Sequence, residues 1–385
     1  MIETQQSKML LPVEAYTSQA WFDREQKYLF GRSWQFVGME NDIPEVGRYL
    51  LVNAGAYPII VIRDEQGDLK AFHNICRHRG TQLLEVAGKR TKVIQCPYHD
   101  WVYSLDGTLI GVPEKRTEFP DMQMKEWSLF PASIAVWKTM IFVNPDPDAI
   151  PFDEYLGDFP AYFGPHQPEL LTEINVTHAD INANWKIFVE NSVDIYHLSH
   201  LHSDTLNMYD HQKLTSGVVG TGHIHTYDPP TPEFLKYLQS NPVDYLPLID
   251  HIDPKDWGAF THLIFPNLLI LGTEFSWATI EVIPVSPTMT RVKSRTLTVP
   301  LDPITRAMGS GYEKASALLR QIMGYRPEEK PLESGDFFLE DVYACEQQQK
   351  AMNSPQFTFG PTSVDKEQLI IDFQRTTLDF MEDES

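Results

Sequence analysis

Cys76-Arg77-His78-Arg79-Gly80 and Cys96-Pro97-Tyr98-His99 decide how this chain reads. Each stretch offers one thiol and one imidazole, in the overall pattern C-x-H-x17-C-x2-H. Two soft and two borderline donors on paired loops suit a tetrahedral zinc, or an iron–sulfur cluster with thiolates on one iron and imidazoles on the other. One Cys and one His per loop supplies both ends of such a cluster. Zinc fingers instead tend to pair two cysteines along one loop and two histidines along the next. Gly80 and Pro97 fit the tight turns that such loops need. Trp101 is either a shield for the cluster or an ordinary core aromatic.

Around these loops the chain has the texture of a small β domain. Arg48–Asn53 and Pro58–Arg63 are β-rich runs joined by Ala54-Gly55-Ala56, and Gln66-Gly67-Asp68 marks another turn. Val93–Gln95 and Trp101–Leu105 continue the pattern, and Asp106-Gly107 is a hairpin signal before Thr108–Val112. Residues 1–38 read as a helical lead-in packing on the C-terminal domain, 39–147 as the β domain, and 148–385 as a larger mixed domain, with Pro145-Asp146-Pro147-Asp148 as the linker. In the last part, Trp185 to Leu201 is helix-like, Leu268–Leu271, Ser276–Ile283 and Arg291–Val299 read as antiparallel strands, and helical texture covers Ile304–Met323, Phe337–Met352 and Glu367–Met381. The fold class is α+β.

Composition narrows the function. The 385 residues carry 31 basic and 53 acidic side chains, a net charge of −22, which argues against a nucleic-acid or anionic-membrane binder. The best apolar run, His262 to Leu271, is short and interrupted by Pro266, so no membrane span is expected. No secretory signal is evident in Met1 to Ser18, and 3 cysteines make no disulfide framework, so a reducing cytoplasm is expected.

A second constellation lies at Glu190-Asn-Ser-Val-Asp194-Ile-Tyr-His197-Leu-Ser-His200-Leu-His202. Two histidines and a carboxylate on one face of Fe(II) form the facial triad, which leaves positions open for O2 and substrate. On a regular helix His197 and His200 share a face, whereas His197 and His202 diverge by about 140°.

Taken together, the two constellations resemble the Rieske non-haem iron oxygenases, specifically their α subunit, the terminal oxygenase. The resemblance runs from about Trp34 to Phe380, including Asn184-Trp185-Lys186 and Glu190-Asn191, and thins over residues 203–265. It implies a Rieske β domain followed by a helix-grip, START-like catalytic domain. Cys76, His78, Cys96 and His99 are then the ligands of a [2Fe–2S] cluster. The family motif D-x2-H-x4-H selects His197 and His202 over His200, which requires the helix to distort or end between them. A segment like E-D-x-x-x-x-E-x-x-Q is matched by Glu340-Asp341-Val-Tyr-Ala-Cys-Glu346-Gln-Gln348, which makes Asp341 the third ligand of a mononuclear Fe(II), with Glu340, Asp336 and Glu346 as competitors. Asp194 is implied to orient His197 and to bridge to the cluster histidine, His99, of a neighbouring subunit. The assembly is then a ring of subunits, a homotrimer or a hexamer of trimers type.

The resemblance implies O2 as co-substrate and electrons from NAD(P)H through a separate reductase or ferredoxin; no G-x-G-x-x-G occurs in this chain. Residues 63–92 hold seven basic side chains (Arg63, Lys70, Arg77, Arg79, Lys89, Arg90, Lys92) against four acidic ones, a local excess that suits docking of an acidic donor. No Arg occurs between Arg116 and Arg291, so a site for an aromatic carboxylate would depend on Lys213, Lys236 or Lys255, or on Arg291 or Arg295 turned inward. Tyr209, Trp257, Phe275 and Trp277 are candidates for an apolar wall. His223 and His225 read as structural, and Cys345 as buried and inert. The expected activity is hydroxylation of an organic substrate, with an aromatic ring first. Oxidation of an N-methyl, quaternary ammonium or O-methyl group is the alternative, and a Rieske electron-transfer protein is the reading that is not an enzyme.

Overall fold

The computed structural model describes residues 8–90, 92–240, 246–301 and 330–382. The helix expected over Ile304–Met323 lies outside them. The described chain divides into two compact units, one of residues 23–155 with 380–382 and the other of residues 8–22 with 156–379. The lead-in expected over 1–38 is therefore shared between them.

The N-terminal unit is antiparallel β structure. Strands β1 (Gln35–Met39), β2 (Arg48–Ala54), β3 (Tyr57–Arg63), β4 (Leu69–His73), β5 (Gly88–Lys89), β9 (Pro131–Trp137) and β10 (Met140–Asn144) form a seven-stranded sheet in the order β1-β10-β9-β4-β3-β2-β5. A three-stranded sheet holds β6 (Val93–Gln95), β7 (Val102–Ser104) and β8 (Leu109–Gly111). The run Ile59-Ile60-Val61-Ile62 in β3 is buried along its whole length, because both faces of the large sheet are covered. Ile60 and Ile62 pack with Phe72, Cys76, Cys96, Trp101 and Tyr103, whereas Ile59 and Val61 face Val37, Ile141 and Val143 on the other side. Gly107 turns the β7–β8 hairpin at φ +84°, and a Cβ there would meet the Phe72 ring at 2.4 Å.

The C-terminal unit is built on a second seven-stranded antiparallel sheet. Its strands are β11 (Thr172–Ile181), β12 (Thr215–Val219), β13 (His223–Tyr227), β14 (Phe260–Ile264), β15 (Leu268–Gly272), β16 (Trp277–Ser286) and β17 (Met289–Thr298), ordered β11-β17-β16-β15-β14-β13-β12. Pro266 sits in the β14–β15 turn, where a missing N–H costs no ladder bond.

Helices α1 (Trp185–Val193), α2 (Leu198–Leu201), α3 (Pro232–Gln239), α4 (Phe337–Met352) and α5 (Gln368–Met381) accompany this sheet. Asn184 caps α1 by accepting from the Lys186 amide, and Asp336 caps α4 by accepting from the Phe338 and Leu339 amides. Helix α1 packs on β14 and β16, and α4 packs on α1. Gln349 of α4 reinforces that pairing by accepting from the Asn184 amide at 2.7 Å. Residues 8–22 join the same unit through Tyr16, whose hydroxyl donates to Glu190 at 2.7 Å.

Candidate metal centres and substrate cavity

The two Cys/His loops of the N-terminal unit close in the same way. In the first, the Gly80 amide donates to the Cys76 carbonyl at 3.0 Å, with Gly80 at φ +73°. In the second, the Asp100 amide donates to the Cys96 carbonyl at 3.2 Å, with Asp100 at φ +54°. The Cys76 amide bonds the Thr81 carbonyl and the Cys96 amide the Trp101 carbonyl, both at 2.8 Å. Backbone turns thus fix both thiols inside the core, where Cys76 and Cys96 are 2 % and 1 % exposed.

The imidazoles of His78 and His99 meet with ring centroids 4.6 Å apart, and Trp101 stacks on His78 at 4.9 Å. His78 Nδ1 is buried without a hydrogen-bond partner, which leaves that atom for a metal. Burial, then the neighbouring His99 and Arg79, holds the His78 imidazole below its ordinary pKa, in the neutral form that ligation needs. Burial raises the Cys76 thiol, and the Tyr103 hydroxyl 3.4 Å from its sulfur works against that rise. Arg77 is committed to the Ser128 carbonyl and lies 3.8 Å from the Phe130 ring centroid, and Lys70 and Lys89 are paired with Asp64 and Glu45. Of the excess charge over residues 63–92, Glu45, from outside the run, offsets that of Lys89.

In the C-terminal unit, one donor atom each from His197, His202 and Asp341 lie within 4.8 Å of one another. His202 Nε2 is 3.0 Å and His197 Nε2 3.6 Å from Asp341 Oδ1. The helical run expected over Trp185–Leu201 breaks: α1 stops at Val193, His197 caps the single turn of α2, and His202 follows its last residue at φ −101°, ψ 26°. The break before His197 and the stop at His202 let two side chains five apart converge. His200 remains exposed, beside the Tyr196 ring.

The four acidic candidates for the third donor have separate tasks. Asp341 reaches both imidazoles; Glu340, 3 % exposed, takes His202 Nδ1 at 2.7 Å and the Thr205 hydroxyl at 2.8 Å; Asp336 caps α4; Glu346 accepts from Asn182. Although burial lowers the His202 pKa, Asp341 and Glu340 together raise it above the ordinary value. Asp194 Oδ1 accepts from the Tyr196 amide at 2.7 Å. Its Oδ2 lies 3.2 Å from His197 Nδ1, off the line of a hydrogen bond.

Beside the three donors lies a cavity of ≈ 170 Å³, comparable to cavities that accept benzene. Phe188, Phe260, Phe337 and Phe338 supply its aromatic walls, with Leu206, Leu269 and Ile280 among the aliphatic ones. Of the four aromatic residues expected there, only Tyr209 lines it; Trp257 and Phe275 pack against Leu238 and Ile249 in a separate core, and Trp277 is fully buried. Arg291 is held by Asp180 and Arg295 by Glu173, and neither lines the cavity. His223 is buried and accepts from the Phe265 amide, His225 stacks on Tyr162, and Cys345 is enclosed beside the Ile187 carbonyl.

Sequence comparison assigns residues 33–139 to the Rieske [2Fe–2S] domain and residues 168–383, more than half of the chain, to the ring-hydroxylating α subunit catalytic domain. The chain belongs to the Rieske oxygenase α subunits. It is an oxidoreductase of that family, whose two domains imply a Rieske cluster and a mononuclear iron. Across 97 % of its length it is 26 % identical to the glycine betaine monooxygenase oxygenase subunit of Chromohalobacter salexigens, covering 86 % of that protein. It is 34 % identical to the biphenyl 2,3-dioxygenase α subunit of Rhodococcus jostii over 47 % of this chain and 41 % of that one, so it spans less than half of that relative's length. The fold matches the quaternary ammonium Rieske monooxygenase CntA and the naphthalene 1,2-dioxygenase of Rhodococcus sp., each with a TM-score of 0.72, at 20 % and 23 % identity, over 97 % of this chain and 95 % of the other.

Among the described residues no helix is long and apolar enough to cross a membrane. Three features of these sites escaped the reading of the sequence: the Glu340 contact with His202, the Tyr103 contact with Cys76, and a His211–Asp228 pair in the cavity wall. The E-D dipeptide singled out the first; nothing local marked the other two.

Proposed function

We propose that the protein is the terminal oxygenase of a Rieske system, with Cys76, His78, Cys96 and His99 as cluster ligands and His197, His202 and Asp341 as ligands of a mononuclear ferrous ion. When bound, the cluster supplies single electrons and the ferrous ion the redox chemistry that activates O2 beside a substrate. The observation that carries this reading is the convergence of two Nε2 atoms and one carboxylate oxygen, from segments 139 positions apart, at the wall of an apolar cavity.

The chain's own residues prepare the site. Glu340 is an acceptor, so His202 Nδ1 donates to it and Nε2 is left as the atom that would bind the metal. Asp194 sits against the other imidazole and is the group through which a neighbouring subunit's cluster histidine, its His99, would connect; that link makes a trimeric ring the working assembly. A quaternary ammonium Rieske monooxygenase that shares the fold is described with inter-subunit electron transfer. The phenylalanine walls exclude water from the reacting centre.

The apolar cavity favours hydroxylation of a small substrate, with an aromatic ring as the first class. Oxidation of an N-methyl group is the second, supported by the match to a glycine betaine monooxygenase along 97 % of the chain. The electron donor is a separate reductase or ferredoxin, and a reducing cytoplasm suits the three free cysteines.

The test is metal and sulfide analysis of anaerobically prepared protein, with EPR after dithionite reduction. About three irons and two sulfides per chain with a Rieske signal are expected. Zinc without sulfide would overturn the oxygenase reading, and two irons with two sulfides would remove the triad assignment.

A further inference from the structure

The cavity wall carries one polar pair that the metal ligands do not use. His211 Nδ1 lies 2.5 Å from Asp228 Oδ2, and both residues line the cavity. Asp228 is 6 % exposed, yet among the described residues its Oδ1 has no hydrogen-bond partner, nor has His211 Nε2. A buried carboxylate oxygen left unsatisfied is costly and calls for a donor from outside the chain.

The pair is held by backbone. The Asp228 amide donates to the Ala259 carbonyl at 2.7 Å and the Ala259 amide returns to the Asp228 carbonyl at 2.9 Å. On the facing segment, Tyr209 bridges to Pro230 and the Asp210 amide donates to the Pro229 carbonyl. His211 and Asp228 are thereby fixed against each other before any ligand arrives, which lowers the ordering cost of binding.

The chemistry of the two free atoms is determined by the contact between them. A carboxylate only accepts, so His211 Nδ1 is the donor of that contact and Asp228 Oδ1 is left as an acceptor with no donor. The wall thus presents a bare carboxylate oxygen beside the imidazole. Among the described residues no lysine or arginine lines the cavity. An anionic substrate finds no counter-charge there, and a carboxylate group would face Asp228. A quaternary ammonium satisfies the charge but donates no hydrogen bond.

We infer that this pair is the recognition point for a substrate amine bearing at least one N–H, whose apolar body fills the phenylalanine-lined cavity next to His197, His202 and Asp341. This rests on the oxygenase reading for what happens to the substrate, but not for its binding.

The test is calorimetric titration of the iron-loaded holoenzyme with four probes that share a benzyl or phenyl body: benzylamine, toluene, benzyltrimethylammonium and benzoate. Benzylamine is expected to bind at least about tenfold more tightly than each of the others. In Asp228→Asn, which keeps the side chain's shape but replaces an acceptor with an amide, that preference should collapse to less than about threefold while toluene affinity is unchanged. Equal binding of benzylamine and toluene by the unaltered protein overturns the inference without any variant. Tighter binding of benzyltrimethylammonium or benzoate, or an undiminished preference in a folded Asp228→Asn protein, does so too. Iron and sulfide content measured on the same samples separates the two readings: a preparation that lacks sulfide sinks the oxygenase assignment whatever the ranking of probes.

Discussion

In the N-terminal unit the donors come from two neighbouring loops, and backbone hydrogen bonds at Gly80 and Asp100 hold them in place. In the C-terminal unit they come from a broken helix and a second helix far along the chain, and a side chain does the positioning of His202, through Glu340, while Asp194 lies beside His197 without a hydrogen bond to it. A site closed by local turns depends on few other elements. A site assembled across a fold depends on the packing of α4 on α1 and on every contact that keeps Asp341 facing the histidines. The two centres should therefore fail separately and for different reasons.

Removing ligands gives the largest effect. Asp341→Ala should abolish product formation and lower the iron content from about three to about two per chain, with the Rieske EPR signal intact. Cys96→Ser should do the opposite, abolishing the cluster signal. Loss of both centres in either variant would break the comparison, because it would mean that the units do not hold their metals independently. Asp194→Ala comes next. Both metals should remain, yet oxidation of the reduced cluster in a single turnover with substrate and O2 should stop. Oxidation at the unaltered protein's rate would take Asp194 out of the electron path.

The same contrast explains what could be read in advance. The Cys/His pairs of the N-terminal unit could be singled out because those residues, their turns and the strand pattern around them are all local: Asp106-Gly107 turns a hairpin where expected, and β10 ends at Asn144. In the C-terminal unit β11 to β14 went unmarked, but α4, which spans the expected Phe337–Met352, was legible. The break of the helix before His197 was not, since Asp194-Ile195-Tyr196 carries no Pro or Gly. Composition likewise could not sort the aromatics, because Trp257, Trp277 and Phe188 are equally apolar and only the tertiary placement of a loop, a strand and a helix decides which one lines the cavity. His211 and Asp228 meet only through the pairing of their segments, which no spacing encodes.

Acid should separate the units with a smaller effect. His166 and His262 are buried in the C-terminal unit, and burial pulls their pKa values down to about 4 and about 3. Protonating His262 sacrifices the bond its Nδ1 accepts from the Thr226 amide, and protonating His166 places a proton on an Nδ1 with no acceptor. The unfolded chain takes up these protons near pH 6.5, so stability is complete above that pH and falls as the pH drops toward 4. At pH 5 the loss is about 2 kcal/mol for each histidine. In the N-terminal unit His78 adds a cost of the same sign, but from one imidazole rather than two, whereas Glu45 and Asp106, held low by Lys89 and the Ser104 hydroxyl, lose their contribution only below about pH 4.5. Urea midpoints at pH 7 and 5 should therefore drop for the C-terminal unit first, and His166→Gln should flatten that dependence. Equal drops in both units, or an unchanged slope in the variant, would assign the acid sensitivity to other groups.

The smallest effect bears most directly on positioning by side chains. Glu340 fixes the imidazole of His202 through Nδ1 and is itself held by the Thr205 hydroxyl, so the carboxylate both orients the ring and makes it a better donor. Glu340→Gln keeps the shape and removes the charge. Its amide either accepts from Nδ1 more weakly or presents an N–H to it, which favours the wrong tautomer. Fe(II) affinity should fall by about 10–100-fold, measured by competition with a chelator, whereas the cluster's absorbance and EPR stay as they were. Thr205→Val, which frees one side of the carboxylate, should produce a smaller change in the same direction. If Glu340→Gln binds iron as tightly as the unaltered protein, the end of α2 alone positions His202, and the C-terminal site then resembles the N-terminal one in being set by backbone.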